Sequence, residues 1–211
     1  MKDWEHLPGR LFVVSGPSGS GKSTIARRVL SAIPAEKLVL STSATTRPPR
    51  PGEEHGREYF FLDRDEFESR RGAGRFLESA EVYGRLYGTP AEPVRDALAS
   101  GRDVILEIDV QGAEQVRDRV ASAFRVFIDV PSLEELERRL RGRGGDSEES
   151  IARRLASARV EIEAGARYDH RIVNDELDRA VEELARVIAR HGRSGYSTPL
   201  VHEESSKGGA R

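Results

Sequence analysis

Leu11-Phe12-Val13-Val14-Ser15-Gly16-Pro17-Ser18-Gly19-Ser20-Gly21-Lys22-Ser23-Thr24-Ile25-Ala26-Arg27-Arg28-Val29-Leu30 is the stretch that decides the fold. Four consecutive apolar residues at its start predict a strand buried on both faces, as in a parallel sheet. From Gly16 to Ser23 the pattern is G-x-x-x-x-G-K-S, and Ile25, Ala26, Val29 and Leu30 then recur at helical spacing. Strand, glycine-rich turn and helix in that order make a phosphate cradle. Backbone N–H groups turn inward around the phosphate oxygens, and the helix points its positive end at them. Lys22 then reaches the β- and γ-phosphates, and the Ser23 hydroxyl is placed for Mg²⁺. Gly16, Pro17, Ser18, Gly19, Ser20, Gly21, Lys22, Ser23 and Thr24 are therefore the candidate residues for a nucleoside triphosphate.

Working outward, four more short runs read as strands: Leu38-Val39-Leu40, Val104-Ile105-Leu106-Glu107-Ile108, Phe124-Arg125-Val126-Phe127-Ile128 and Ile172-Val173. Helical patterns lie between and after them. Ser132, with Glu135 three residues on, predicts a capping box for a helix through about Arg141. A long helix from about Ser147 to Tyr168 carries Ile151, Leu155, Ala158, Ile162 and Ala166 on one face. Leu177 to His191 closes the pattern, with Val181, Leu184, Val187 and Ile188 inward. Such alternation predicts an α/β fold: a parallel sheet flanked by helices, doubly wound around the phosphate cradle.

Two segments interrupt it. Residues 44–90 combine Arg47-Pro48-Pro49-Arg50-Pro51-Gly52, the aromatic run Tyr59-Phe60-Phe61-Leu62, a helix opened by Asp63-Arg64-Asp65-Glu66, and the apolar Phe76-Leu77 and Leu86-Tyr87. They read as a mixed α/β lobe inserted into the core. Residues 141–150 are polar and glycine-rich and read as a hinge inside a small helical lid. The expected division is an N-terminal extension (1–9), a core (10–43, 91–132 and 169–191), the lobe (44–90), the lid (133–168) and a disordered tail (192–211).

Composition narrows the function. The 34 Lys and Arg nearly cancel the 36 Asp and Glu, leaving −2, so no global field favours nucleic acid or a membrane surface. No cysteine means no disulfide framework and no thiolate metal site. The polar start Met1–His6 and apolar runs of about six residues, against the ~20 of a membrane span, predict a cytoplasmic protein without signal peptide. Nothing in the pattern selects between a monomer and a homo-oligomer. Glu107 and Asp109 end an apolar strand, a position suited to a carboxylate on metal-bound water. Ser43, Thr45, Thr46, Arg47 and Arg50 set three hydroxyls and two guanidiniums within eight residues, and the prolines stiffen the segment. Two preorganised guanidinium forks suit a phosphate dianion.

The phosphate loop, Thr45-Thr46-Arg47-Pro48-Pro49-Arg50-Pro51-Gly52-Glu53, Gly56-Arg57-Glu58-Tyr59-Phe60-Phe61, Phe76-Leu77-Glu78, Tyr87-Gly88-Thr89, Ile108-Asp109-Val110-Gln111-Gly112-Ala113 and Ile172-Val173-Asn174-Asp175 occur in that order. Together they resemble guanylate kinase, over about residues 10–190. The resemblance implies a P-loop kinase core, a GMP-binding lobe and a lid, with Mg²⁺ and ATP donating a phosphoryl group to GMP or dGMP. It implies that Arg47, Arg50, Tyr59 and Tyr87 hold the GMP phosphate, with Glu53 in the same GMP-binding set. Ser43, Glu78, Thr89 and Asp109 would read guanine. Lys22, Arg47, Arg139, Arg143 and Arg154 would surround the transferring group, and Asn174 would lie near the adenine. Arg138, Arg141 and Arg153 read as solvated neighbours. A carboxylate at Glu78 accepts the adjacent ring N–H and amino group of guanine, whereas adenine offers a lone pair there. Ser23 and Glu107 are the metal candidates. Glu107 stands where the family commonly has Asp, and Arg85 replaces an Asn. Two alternatives keep the same fold: a non-catalytic module of this family that binds phosphopeptides, and a P-loop kinase acting on a phosphorylated sugar.

Overall fold

The computed structural model describes residues 4–142 and 147–196. In chain order its elements are β1 (Leu11–Ser15), α1 (Lys22–Ala32), β2 (Leu38–Leu40), β3 (Ser43–Thr45), β4 (Tyr59–Phe61), α2 (Arg64–Gly72), β5 (Phe76–Val82) and β6 (Arg85–Pro90). They continue as α3 (Ala91–Ala99), β7 (Asp103–Glu107), α4 (Val110–Arg119), β8 (Phe124–Asp129), α5 (Leu133–Gly142), α6 (Glu148–Gly165), β9 (His170–Val173) and α7 (Leu177–His191). All five strands expected for the core form one parallel sheet in the order β2-β7-β1-β8-β9.

Every residue of β1 is buried, and its side chains alternate between two apolar layers. Phe12 and Val14 pack with Ile25, Val29, Leu184 and Ile188 of α1 and α7. Leu11 and Val13 pack with Val94, Leu98, Ala113 and Val116 of α3 and α4. Full burial of one such side chain contributes about 1.5–3 kcal/mol, whereas an exposed ion pair contributes about 0–1 kcal/mol. The two faces of the sheet therefore hold the core together. Because β1 lies between β7 and β8, a crevice opens at its C-terminal end, and the phosphate loop begins there.

The inserted lobe is a second sheet, ordered β4-β3-β6-β5, with α2 packed on it. It starts at Ser43, one residue earlier than the pattern suggested. Its own small core joins Ala44, Leu62, Phe67, Phe76 and Leu86, with the Phe67 and Phe76 rings stacked at 4.5 Å. Asp63 caps α2, its carboxylate accepting from Glu66 N–H at 2.7 Å.

In the lid, Leu136 and Leu140 of α5 meet Ala158 of α6 and Val130. Ser132 accepts from Glu135 N–H at 3.2 Å as expected, but the Glu135 carboxylate is taken by Arg138 and Arg139, so the capping box is half formed. Gly165 is buried and Ala166 is exposed, which moves the last inward position of α6 by one residue. Arg141 of α5 bridges to Glu148 at the start of α6, at 2.5 and 2.8 Å. The hinge residues 143–146 between them, Arg143 included, lie outside the described residues.

Of the segment after His191 read as disordered, residues 192–196 are described, and they dock on the core. Asp103, fully buried at the start of β7, accepts from the N–H of Arg10 (2.6 Å), the N–H of Arg193 (2.9 Å) and the Tyr196 hydroxyl (2.8 Å). A buried carboxylate needs such donors, and the segment 192–196 supplies two of the three. Residues 197–211 lie outside the described residues. The N-terminal extension also docks, through Trp4 and Leu7 on the α3–α4 layer.

Candidate active site

The phosphate loop leaves β1 and enters α1 through Gly21, whose φ of 92° suits glycine. A Cβ at Gly21 would stand 2.3 Å from the Asn174 amide nitrogen. That amide donates to the Ser20 carbonyl at 2.6 Å, and Arg139 donates to the Asn174 carbonyl at 2.8 Å while held by Glu135 at 2.7 Å. Asn174, expected beside the adenine, thus has a direct part in shaping the loop. Arg154 of α6 donates to the Ser18 hydroxyl at 2.5 Å. Ser18, Lys22 and Ser23 are half-buried along the crevice, and Thr24 is exposed on α1. The Ser23 hydroxyl donates to Glu107 at the end of β7, bringing two oxygen ligands together.

The lobe carries a second cluster of polar and aromatic candidates. Arg47 donates twice to the Glu53 carboxylate, both at 2.9 Å, and its guanidinium lies over the Tyr59 ring at 5.5 Å. Tyr59 and Tyr87 meet edge to face at 6.1 Å. Glu53 also accepts from Arg50 N–H at 2.7 Å, so it closes the loop that carries both arginines. Burial opposes the charge on Glu53, but the Arg50 N–H and Arg47 outweigh it and hold the carboxyl below its ordinary range. Arg47 is thus the fixed fork. Arg50 is exposed, so the proline-stiffened pair of equal forks is not what forms. Two of the three expected hydroxyls also serve backbone: Thr45 accepts from Arg47 N–H and Thr46 from Leu86 N–H. Ser43 is half-buried at the start of β3, opposite Tyr59.

The lobe and the core each bring one buried carboxylate to the same neighbourhood. Glu78 on β5 is 3% exposed and accepts from the Thr89 hydroxyl at 2.6 Å. Burial pushes its carboxyl up to about 7, against the Thr89 bond and with help from the Asp109 charge. Asp109 caps α4, accepting from Gly112 N–H at 2.8 Å, and burial raises it as well, against its backbone bonds and the nearby Lys22 charge.

A family model described as "Guanylate kinase" matches residues 8–191. The chain belongs to the guanylate kinase family. A guanylate kinase of Rubrobacter xylanophilus is 53% identical over 182 residues, covering 86% of this chain and 94% of that one. One from Escherichia coli K12 is 49% identical over 180 residues, covering 85% and 87%. A crystal structure of guanylate kinase from Anaplasma phagocytophilum superposes with a TM-score of 0.71 at 33% identity, covering 86% of this chain and 85% of that one.

Glu107 reaches the Ser23 hydroxyl, and Arg85 lies exposed at the start of β6. Arg138, Arg141 and Arg153 sit on the surface in ion pairs with Glu135, Glu148 and Glu149. A further acid near Lys22 and Asp109 was not singled out in the sequence. Glu161 of α6 is pushed up to about 7 by burial, against the Lys22 charge and with the Asp109 charge adding to it. The available signal was its spacing: Glu161 follows Arg154 by seven residues, two turns along one helix face.

Proposed function

We propose that the chain transfers the γ-phosphoryl group of ATP to GMP and dGMP, giving ADP and GDP. The observation that carries this reading is the buried Glu78 carboxylate, paired with Thr89 and facing Asp109, in the lobe across from a complete phosphate loop. Ionised, Glu78 accepts the ring N–H and amino group of guanine together, and adenine in the same place leaves it facing a lone pair. A sugar phosphate needs no such reader, and a phosphopeptide module needs no complete loop with Lys22, so neither alternative is favoured.

The reaction needs no general base. A phosphate monoester loses its second proton near pH ~6, so the acceptor oxygen is already anionic. The work falls to alignment and charge neutralisation around a loose transition state. The loop N–H groups and Lys22 hold the donor phosphates, and Arg154, seated beside Ser18, and Arg139, on the loop's rim, add positive charge. Arg47, Tyr59 and Tyr87 hold the acceptor phosphate, Arg47 prealigned by Glu53. Arg50, on the loop that Glu53 closes, would join them when the anion arrives, and Arg143, outside the described residues, would close with Arg139 over the ATP phosphates. The residues present fit Mg²⁺: the Ser23 hydroxyl and the Glu107 carboxylate meet at the loop, and hard oxygen donors suit that cation. When bound with ATP, Mg²⁺ supplies charge neutralisation on the phosphates. Among the described residues no helix is long and apolar enough to cross a membrane. Soluble nucleotide substrates fit the cytoplasm.

An ADP-release assay with ATP and Mg²⁺ tests the reading against GMP, dGMP, AMP, CMP, UMP and a ribose bisphosphate precursor. Turnover with GMP and dGMP is expected. Turnover with the sugar phosphate instead, or none with GMP, would overturn it.

A further inference from the structure

β5 is the last strand of the lobe sheet, so one edge of it turns away from β6. Backbone groups on such an edge require other partners. Helix α4 of the core supplies them. Gln115 accepts from Ser79 N–H at 3.1 Å and donates to the Ser79 carbonyl at 2.8 Å. One turn further, Arg119 donates from Nη1 to the carbonyls of Phe76 at 2.9 Å and Leu77 at 2.6 Å. Two successive carbonyls reach one donor because the pairing of β5 with β6 shifts register between Phe76 and Glu78. The shift also sends three consecutive buried residues to three places. Phe76 enters the lobe core, Leu77 enters the α3–α4 layer of the main core, and Glu78 points to Thr89.

The same helix starts at Asp109. One turn in, Gly112 lies directly under Glu78: a Cβ there would stand 2.5 Å from Glu78 Oε2. Asp109, Gly112, Gln115 and Arg119 are spaced three, three and four apart, along one face of α4. That face therefore carries one carboxylate of the acceptor site and grips the strand that carries the other. Thr89 fixes Glu78 only within the lobe, since both belong to its sheet. The distance from Glu78 to Asp109 is set across the seam between lobe and core.

We propose that Gln115 and Arg119 are positioning residues for guanine recognition, clamping the register-shifted edge of β5 onto α4 so that Glu78 and Asp109 keep a fixed separation. The proposal rests on the reading of Glu78 and Asp109 as the guanine readers. A helix is a stiff ruler, rising 1.5 Å per residue, and recognition groups need to be held within about 0.5 Å. A slip of 1 Å at such a site costs up to about a hundredfold in efficiency.

The test compares Gln115→Ala, Arg119→Met and Arg119→Lys with the wild-type chain, and sets Glu78→Gln beside them. KM and kcat are measured for GMP and for inosine monophosphate, which keeps the ring N–H and lacks the amino group, together with KM for ATP and the melting temperature. Gln115→Ala and Arg119→Met are expected to raise KM for GMP about tenfold or more and to erode the GMP-over-inosine preference, with KM for ATP unchanged. Arg119→Lys, which keeps a cationic donor, is expected to recover most of the preference. A lower melting temperature with KM for GMP and the preference both within about twofold of wild type would make the clamp merely structural and overturn the proposal. Glu78→Gln separates the two layers of the argument. If it leaves the preference intact, the reading of Glu78 fails, and if it alone abolishes the preference, only the clamp fails. Gln115→Glu keeps the acceptor for Ser79 N–H and removes the donor, so it reads out the same ratio should Arg119→Met not fold.

Discussion

Replacing Glu78 by Gln tests a buried acid whose ionisation, on the proposed reading, serves binding at the expense of folding. In the unfolded chain this carboxyl ionises near 4.5, and in the fold burial pushes it up to about 7. Between those values the native state holds more proton than the unfolded state. Stability attributable to Glu78 is therefore complete below about pH 4.5, falls as pH rises to about 7, and is flat above that. The difference in proton affinity corresponds to about 3 kcal/mol at pH 8. Glutamine has nearly the same shape, still accepts from the Thr89 hydroxyl, and carries no charge to desolvate. The variant is therefore expected to melt at nearly the wild-type temperature near pH 4.5 and about 6–12 °C above it at pH 8, at 2–4 °C per kcal/mol for a chain of this size.

Activity should move the other way. Only the ionised carboxylate accepts two N–H donors, so KM for GMP in the wild type is expected to fall about tenfold between pH 6 and 8 as that fraction grows. The GMP phosphate also titrates near ~6, but it does so in both proteins, so the ratio of variant to wild-type KM carries the Glu78 contribution alone. Thermal melts and KM for GMP at half-unit steps from pH 5 to 8.5 provide the assay. A melting difference that does not change with pH, together with parallel KM profiles, would refute the reasoning.

Other outcomes follow from single contacts. Lys22→Ala is expected to lower kcat about a hundred- to a thousandfold with the melting temperature unchanged within about 2 °C, because the side chain lies in the crevice and outside the apolar layers. Gly21→Ala is expected to raise KM for ATP at least about tenfold, and Asn174→Ala in the same chain should relieve only the clash, because the cost of the left-handed backbone, about 1–2 kcal/mol, remains. Asp103→Asn weakens the donor cluster of Arg10, Arg193 and Tyr196 and is expected to cost about 1.5–3 kcal/mol in urea unfolding, with turnover at 25 °C intact.

What the sequence made legible and what it hid divide along a physical line. The phosphate loop is local: glycines, lysine and serine must be contiguous because one turn of backbone wraps one phosphate, so Gly16–Ser23 reads directly. The core strands read equally well, since burial on both faces leaves nearly continuous apolar runs such as Phe12-Val13-Val14. The contacts of residues 192–196 were hidden because their composition is polar and their anchor lies elsewhere in the chain. Arg193 and Tyr196 are ordered by Asp103, about ninety residues earlier, and no window on the tail contains that acid.

The same distance hides how the site is aimed. Arg47 and Arg50 look equivalent in sequence, yet Glu53 turns one into a fixed fork through its side chain and touches the other only at the backbone. Gln115 and Arg119 read as the polar face of an ordinary surface helix, and only the free edge of β5 gives them work. Glu161 reads as one more acid among thirty-six, and only the fold brings it to the neighbourhood of Lys22. Groups that contact a phosphate or a base are constrained by the ligand's chemistry, and a motif records them. Groups that hold those groups in place are constrained by the fold, so many residue types serve and no local pattern marks them. A change at Gln115 or Arg119 would therefore leave every motif of the family intact while altering which base the enzyme accepts.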